Sequence, residues 1–562
     1  MKAVFGVRHS IAQLDLHGRS FFSLEVSGDE RVETISTNHL SISFVARNQS
    51  EVDDSLFASG DWVIGVVGKI FHGDYPHQPT LLAKLLAEFR KGESILLRES
   101  FGEFVLVIVD KAQNDVTILS DVLSIRPVFY HISEEQFVFG TDIWQLVSDD
   151  LVPRKLNLNA LCSWFLLDHV IGNESLIEDL NRLAPASSVR VSHKGVTSEE
   201  YREFRVDRKR PKKADLLDSI ESAVDDSCRM IAAREDRLNC FLSGGYDSRY
   251  LLCEFDKLGS RQHAYTVLFD SGEKLASRAV LDALGLDGVA VDVPGSMLDL
   301  HDGDPFYFAP WGFPAWKFVT EVPVRRFNLN DTLVDGLMGD ELIRGYEYEV
   351  QVRSSIDQFG IGEGMLRNYI FSAPFVFQNR LAKRIQNRVK NQIEDYFEGK
   401  NDSIEKIAFQ WLLFNRKSTC HTTNHIYNQK HAETVHPFVS SNLIDLRLRT
   451  DNNVFDSMLY KELFNRRFPA VAGIPHSTDL QVKGKDDHRF SWSLWRQLLP
   501  VISQVFRSTP DHVLDRRFIA PRLCAYGLGS ANKLYLARQL WIFTKLSKRL
   551  EEEGIEVPWN EI

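Results

Sequence analysis

Leu242-Ser243-Gly244-Gly245-Tyr246-Asp247-Ser248 follows an apolar run that ends at Phe241 and precedes a second one, Tyr250-Leu251-Leu252-Cys253. The order reads as strand, glycine turn and helix. Two glycines let the backbone approach an anion closely, while exposed amides at the helix start and the hydroxyls of Ser243 and Ser248 supply donors. Asp247 is the odd charge in such a pocket, and a carboxylate beside phosphates calls for a bridging Mg²⁺. The plainer alternative is a glycine turn between a strand and a helix with no ligand.

Outward from this stretch, the chain changes character. Residues 1 to about 205 carry short alternating or apolar runs at 62–67, 104–109, 116–119, 127–130 and 137–139, with a first strand read at the N-terminus and one helix over 80–90. That pattern predicts an α+β domain of stacked antiparallel sheets. The charged, proline-bearing segment 207–213 reads as a linker, which divides the chain into 1–205 and 206–562. Past it come a helix over 214–233, a strand over 238–242, further strands at 264–269 and 289–293, and a helix at 276–284. Alternation of this kind predicts a parallel α/β sheet. Beyond about residue 365 the pattern is mainly helical, with aromatic stretches at 411–414 and 492–499.

The bulk properties narrow the choice of function. A chain of 562 residues with 44% hydrophobic and 25% charged residues reads as globular and soluble, with two to four domains. The net charge of −11, with no long basic block, gives no reason to expect nucleic acid or a membrane as partner. Six scattered cysteines without metal-like pairing, and no apolar run long enough for a membrane span or signal peptide, predict a reduced, cytoplasmic protein. Cys420, His421 and His425 stand at helical spacing but lack a fourth ligand nearby, so zinc is not expected.

Ser-Gly-Gly-x-Asp-Ser is the pattern of the ATP-pyrophosphatases, and no Gly-Lys-Ser/Thr phosphate loop occurs. The chain resembles the asparagine synthetase family and, within it, the β-lactam synthetases and the macrolactam cyclases of lasso peptides. In the front half the resemblance rests on Phe101-Gly102-Glu103-Phe104 leading to Asp110, on residues 121–130 and on 137–142. In the rear half it rests on the glycine loop, on Val334-Asp335-Gly336-Leu337-Met338-Gly339-Asp340-Glu341, on Glu433-Thr434-Val435-His436-Pro437-Phe438 with Asp445 beyond, and on Val482-Lys483-Gly484-Lys485. It implies an N-terminal-nucleophile-type front domain followed by a synthetase domain. The implied reaction uses ATP and Mg²⁺ to convert a carboxylate to its adenylate with release of pyrophosphate, and then captures the adenylate with an amine.

Departures from the family pattern bear on the nitrogen source. Glutamine-hydrolysing members carry a cysteine after the initiator Met, activated by its own amine. Position 2 here is Lys2, and no cysteine precedes Cys162. Val67 replaces an Asn before Gly68, and Gln78-Pro79-Thr80 replaces an acidic segment. The expected front domain is therefore degenerate as a glutaminase, and the amine belongs to the substrate itself or arrives separately. Leu337 stands where relatives have a Tyr or Glu, so any general base must come from elsewhere or the amine must arrive already neutral.

By the same resemblance, Ser243, Gly244, Gly245, Asp247, Ser248 and Gly339 hold the pyrophosphate side, Asp247 and Asp340 bind Mg²⁺, and the backbone at Val267 and Leu268 meets the adenine. Asp340 is also readable as a helix N-cap. Lys483 is the preferred catalytic cation, with Lys485 as its rival. Glu433 contacts substrate or orients the lysine loop, with a core-edge ion pair as the alternative. Gly345-Tyr346-Glu347-Tyr348-Glu349 lines the acceptor site or forms a solvated helix. The sequence leaves open whether a peptide is delivered by a partner protein, whether the chain is a homodimer, and whether it is a degenerate binder of nucleotide.

Overall fold

The computed structural model describes residues 3–9, 30–134, 136–148, 152–167, 169–204, 209–268, 271–292, 331–344, 347–369, 379–399, 403–421, 432–451, 454–456, 458–480, 503, 546 and 549–555. The front half runs β1 (Ala3–His9), β2 (Arg31–Ser36), β3 (Leu40–Ala46), α1 (Gln49–Ser55), β4 (Leu56–Ser59) and β5 (Trp62–Gly68), then α2 (Gln78–Phe89) and α3 (Ile95–Glu99). It continues through β6 (Phe104–Asp110), β7 (Asp115–Ser120), β8 (Phe129–Ile132), β9 (Gln136–Gly140), α4 (Ile143–Ser148), α5 (Leu158–Leu167), β10 (Asn181–Arg182), β11 (Ser187–Ser192) and β12 (Gly195–Glu200).

These strands form two antiparallel sheets, β10-β8-β9-β1-β3-β2 and β12-β11-β7-β6-β5-β4. Inward residues of both, among them Val4, Phe44, Val105, Val107 and Phe139, interdigitate in one apolar layer. The other face of the second sheet is covered by α2 through Leu81, Leu82, Leu85 and Leu86. Sequence periodicity finds the central strands because they are apolar. It misses the edges β2 and β12, whose side chains are almost wholly exposed and carry no alternation. Strand β8 begins two residues later than expected, since Pro127 has no N–H to give a ladder.

The rear half opens with α6 (Lys213–Ala232), β13 (Arg237–Phe241), α7 (Tyr246–Lys257), β14 (Arg261–Leu268), α8 (Ser271–Leu284) and β15 (Gly288–Asp292), followed by β16 (Thr332–Val334) and β17 (Thr434–Val435). All four pairings in the sheet β15-β14-β13-β16-β17 are parallel. The strand order reverses between β13 and β16, and open α/β sheets offer their ligand crevice at the carboxyl ends of strands at such a point. Later elements are helical, including Asn379–Phe397, Ile404–Trp411, Ser441–Arg449 and Met458–Arg467.

Segment 207–213 is less free than a linker. In its described part Lys209 bridges to Thr450, Arg210 pairs with Asp451, and α6 begins at Lys213. The halves also share a core. Phe71, Phe101, Val122, Leu123 and Ile125 of the front belong to the same apolar cluster as Ile220 and Val224 of α6 and Leu251 and Leu252 of α7. Among the described residues no helix is long and apolar enough to cross a membrane.

Candidate active site

Strand β13 delivers the chain to the carboxyl edge of the sheet, and Ser243 to Gly245 make the turn into α7 there. Gly245 is the N-cap, with no side-chain capping bond, so the first amides of α7 face the crevice. The turn is braced from within. Ser243 N–H donates to Ser248 Oγ at 3.0 Å, the two serine hydroxyls stand 2.9 Å apart, and Gly245 N–H donates to Ser243 Oγ at 3.2 Å. Both sequence-assigned serines thus shape the loop.

Asp247, in the first turn of α7, meets the loop that follows β16. Its Oδ2 accepts the Asp340 N–H at 3.2 Å. Its Oδ1 is buried against the Tyr460 hydroxyl, which hydrogen-bonds the carboxylate. A Cβ on Gly339 would lie 2.5 Å from Asp247 Cγ, 2.6 Å from Oδ1 and 2.6 Å from Tyr460 Oη, and one on Gly336 would lie 2.9 Å from Asp247 Cβ. Gly339 is therefore required by the close approach of two loops. Met338, between these glycines, is buried at a φ of 72°, a strained conformation for a bulky side chain. Leu337 is buried with it in the core.

Burial, and then the Asp340 carboxylate, push the Asp247 carboxyl well above its ordinary range. Asp340 is about half exposed, and Arg344 lies 3.4 Å from it. It opens a short π-helical turn, Asp340–Arg344, and so stands inside the helix beside Asp247 and not at an N-cap. An enclosed carboxylate beside a second carboxylate, at glycines that leave room for an anion, fits a divalent cation bound with phosphates.

Two features of the pocket have no motif in the sequence. Glu273, in the first turn of α8, places Oε2 2.5 Å from the Gly244 N–H, so an acidic side chain already holds one amide of the anion cradle. The segment Ile474-Pro475-His476-Ser477 is clamped against the loop by Arg249. That fully buried guanidinium donates to Ile474 O at 2.6 Å, Pro475 O at 3.0 Å and Gly244 O at 3.3 Å, and Ser477 N–H donates to Gly244 O at 3.1 Å. More than 220 residues separate the clamped partners, so local spacing cannot reveal them. Burial, with Arg249 and Arg344 nearby, holds the His476 ring below the ordinary histidine range.

The remaining sequence-assigned residues separate. Val267 and Leu268 end β14 beyond the last residue of β13, at the carboxyl edge where the loop lies, with Val267 buried. Lys483 and Lys485 lie outside the described residues, as do Tyr346, His425 and residues 492–499. Glu433 is not at the glycine loop. It precedes β17, level with the start of β16, and its buried carboxylate pairs with Arg126 of the front half and with Arg47 at 3.3 Å. Burial alone would raise the Glu433 carboxyl, but the two arginines outweigh it and hold it low. The assignment of Glu433 to catalysis gives way to its alternative, an ion pair, here across the seam of the two halves.

Further charged and polar pairs cross the seam beside the shared apolar core. Lys69 pairs with Glu235 at 2.5 Å and donates to Thr332 Oγ1 at 2.7 Å, Arg234 pairs with Asp54 at 3.0 Å, and His436 Nδ1 lies 2.8 Å from Glu103. The cleft lined by Gly68, Lys69, Gln78, Glu51 and Glu433 measures about 330 Å³. A Cβ on Gly68 would lie 2.2 Å from Glu103 O and 2.5 Å from Arg126 Nε. Cys162, Cys228, Cys240 and Cys253 are buried free thiols, and burial pushes Cys162 up to about 11 and Cys240 and Cys253 up to about 12. None of these four is poised as a nucleophile.

Residues 219–457 match the asparagine synthase family model, and residues 82–202 match that of a glutamine amidotransferase domain. A curated relative, asparagine synthetase (glutamine-hydrolyzing) 3 of Bacillus subtilis (strain 168), is 21% identical over 179 residues, which is 31% of this chain and 29% of the relative. The match thus spans under a third of that relative's length. Among solved structures, glutamine phosphoribosylpyrophosphate amidotransferase from B. subtilis complexed with ADP and GMP is 10% identical with a TM-score of 0.24, over 65% of this chain and 79% of that one. A glutamine aminotransferase class-II domain protein from Silicibacter pomeroyi is 10% identical with a TM-score of 0.19, over 35% of this chain and 97% of that one. The two family models match in order along the sequence, and together they support an asparagine synthetase family member.

Proposed function

We propose that this chain is an ATP-dependent, AMP- and pyrophosphate-forming amide ligase whose amine does not come from glutamine. The observation that carries the reading is Asp247, whose enclosed carboxylate stands beside that of Asp340 where the glycine loop and the Asp340 loop meet. Ser243 to Ser248 would hold the phosphates, with amide donors at the start of α7 aimed where negative charge grows as pyrophosphate leaves. Asp247 and Asp340 would hold Mg²⁺, which when bound supplies positive charge between the carboxylates and the phosphates. The carboxyl ends of β14 and β15 offer the wall for the adenine. Lys483 remains the preferred cation at the reacting carboxylate and Lys485 its rival.

Independence from glutamine is supported by Val67 and Gln78-Pro79-Thr80, by the four buried thiols, and by the front cleft, where Lys69 and Asp54 are paired with the rear half. Closure of an amide within one peptide or small metabolite, as in natural-product biosynthesis, is favoured over a separate amine or ammonia, because the nucleophile then needs no route through that cleft. Delivery of a peptide by a partner protein belongs to the same proposal, as does action in the cytoplasm, where buried thiols stay reduced. Glu273 on the Gly244 amide favours one second reading, a degenerate member that no longer admits nucleotide.

The test is release of pyrophosphate and AMP from ATP and Mg²⁺ with pooled carboxylates, for wild type and Asp247→Ala, with glutamine, ammonia or amine-bearing peptides added in turn. Turnover that is lost in the variant and indifferent to glutamine is the expected result. Stimulation by glutamine would overturn the nitrogen assignment, and absence of nucleotide binding would favour the degenerate reading.

A further inference from the structure

Besides the loop and its carboxylates, one side chain overhangs the place where the anion would sit. His476 packs edge-on against the Tyr246 ring, with centroids 5.2 Å apart and planes at 61°. Its Nδ1 accepts the Thr478 N–H at 3.3 Å and stands 3.0 Å from Thr478 Oγ1. With Nδ1 accepting from the backbone, the neutral ring carries its proton on Nε2. That nitrogen lies 3.7 Å from where a Cβ on Gly245, the N-cap of α7, would point. Nε2 therefore faces the mouth of the helix from the opposite wall, and it has no hydrogen-bond partner among the described residues.

The placement is rigid. Arg249, the residue after Ser248, fixes the two residues before His476 through their carbonyls, and the Gly244 carbonyl fixes the one after it by accepting the Ser477 N–H. A Cβ on Gly244 would strike Ser477 Cβ at 2.3 Å, so the segment rests directly on the loop. A histidine kept only for packing would leave no such directed donor over an anion cradle.

We infer that His476 is a binding residue of the glycine loop, donating from Nε2–H to a phosphate oxygen that the loop amides hold from the other side. The inference rests on the reading of the loop as a pyrophosphate site. It adds a donor that is independent of Lys483 and Lys485, and one supplied by a segment that the glycine loop itself orders. A hydrogen bond from a neutral donor to a charged phosphate oxygen is among the stronger kinds, so its loss should weaken binding by about ten- to a hundredfold.

The test is calorimetric titration of the full chain with inorganic pyrophosphate in MgCl₂, for wild type, His476→Ala, His476→Gln and Asp247→Asn, with long-range ¹H–¹⁵N spectra of the wild-type imidazoles. Glutamine can present an amide donor near the Nε2 position, so the expected order is wild type, then glutamine within about threefold, then alanine weaker by about ten- to a hundredfold. The Nε2 resonance of His476 should move on addition of pyrophosphate. Alanine binding as tightly as wild type, glutamine and alanine weakening equally, or an Nε2 resonance that does not move would each overturn the role of His476 while leaving the loop site standing. Failure of wild type to bind magnesium pyrophosphate, with Asp247→Asn indistinguishable from it, would sink the loop reading and this inference with it.

Discussion

Replacing Glu433 is expected to loosen the seam between the two halves while leaving the chemistry alone. Its carboxylate is 6% exposed and receives Arg126, itself 3% exposed, together with Arg47, which is 23% exposed. Removing one member of a pair buried this deeply leaves the other charge uncompensated, at a cost of about 3 to 5 kcal/mol. Nearly all of that cost falls on Arg126, whose Nε already lacks an acceptor, because Arg47 keeps Glu51 at 2.8 Å and partial contact with water. Glu433→Gln retains a carbonyl acceptor and should sit at the low end of the range, with Glu433→Ala at the high end. Replacing both partners, Arg126→Met with Glu433→Leu, should recover most of the loss, since well-packed apolar substitutes for a buried pair are often neutral or better by about 1 to 4 kcal/mol. Urea midpoints and thermal melts of the single and double variants would measure the cycle, alongside pyrophosphate release at a temperature where all are folded. Glu433→Gln melting like wild type but losing turnover would refute the reasoning and return the residue to the chemistry.

Three further outcomes can be checked. Glu273→Gln removes the negative charge that occupies the Gly244 amide, so magnesium pyrophosphate should bind about three- to tenfold more tightly by calorimetry while the free protein loses on the order of 1 kcal/mol in a urea titration. Gly339→Ala would overlap Asp247 and Tyr460 and should cost about 1 to 3 kcal/mol and abolish the stabilisation given by magnesium nucleotide, whereas Gly60→Ala, in open space at a φ of 64°, should cost about 1 kcal/mol and leave that response intact in a thermal-shift assay. His169 is fully buried, and burial, then Arg416, depress its ring to about 3, so the unfolded chain binds its proton first as pH falls. Stability from this group is full above the unfolded value near 6.5 and is lost downward toward pH 3, about 2 kcal/mol by pH 5; urea midpoints at pH 7 and 5 should converge in His169→Asn relative to wild type.

Much of the fold is written locally. Apolar runs such as Phe104–Asp110 announce buried strands, and the step from Arg237–Phe241 through two glycines into Tyr246–Lys257 announces the parallel sheet with its phosphate turn. What stays hidden depends on distance along the chain or on a missing pattern. Strand β17 has two residues, too few for any period, so nothing near Pro437 and Phe438 tells which end of the sheet Glu433 faces. Arg249 and His476 look ordinary in their own neighbourhoods and acquire a role only when the loop and residues 474–477 meet. Glu273 reads as an acidic residue in a first helical turn, favourable there in any protein, and only folding aims it at Gly244.

Under the glutamine-independent reading, the front half carries no reaction of its own, yet the shared apolar cluster makes it hard to discard. Phe71, Phe101, Leu123 and Ile125 wall the same interior that seats the helix bearing Asp247. A gene shortened to the rear half would expose that interior to water and lose the arginine opposite Glu433. On that reading, decay of an activity and deletion of the fold that housed it are separate evolutionary events: the first would need only substitutions such as that at Val67, while the second would require a new surface to be invented at once. An obsolete half can persist because it has become its neighbour's foundation.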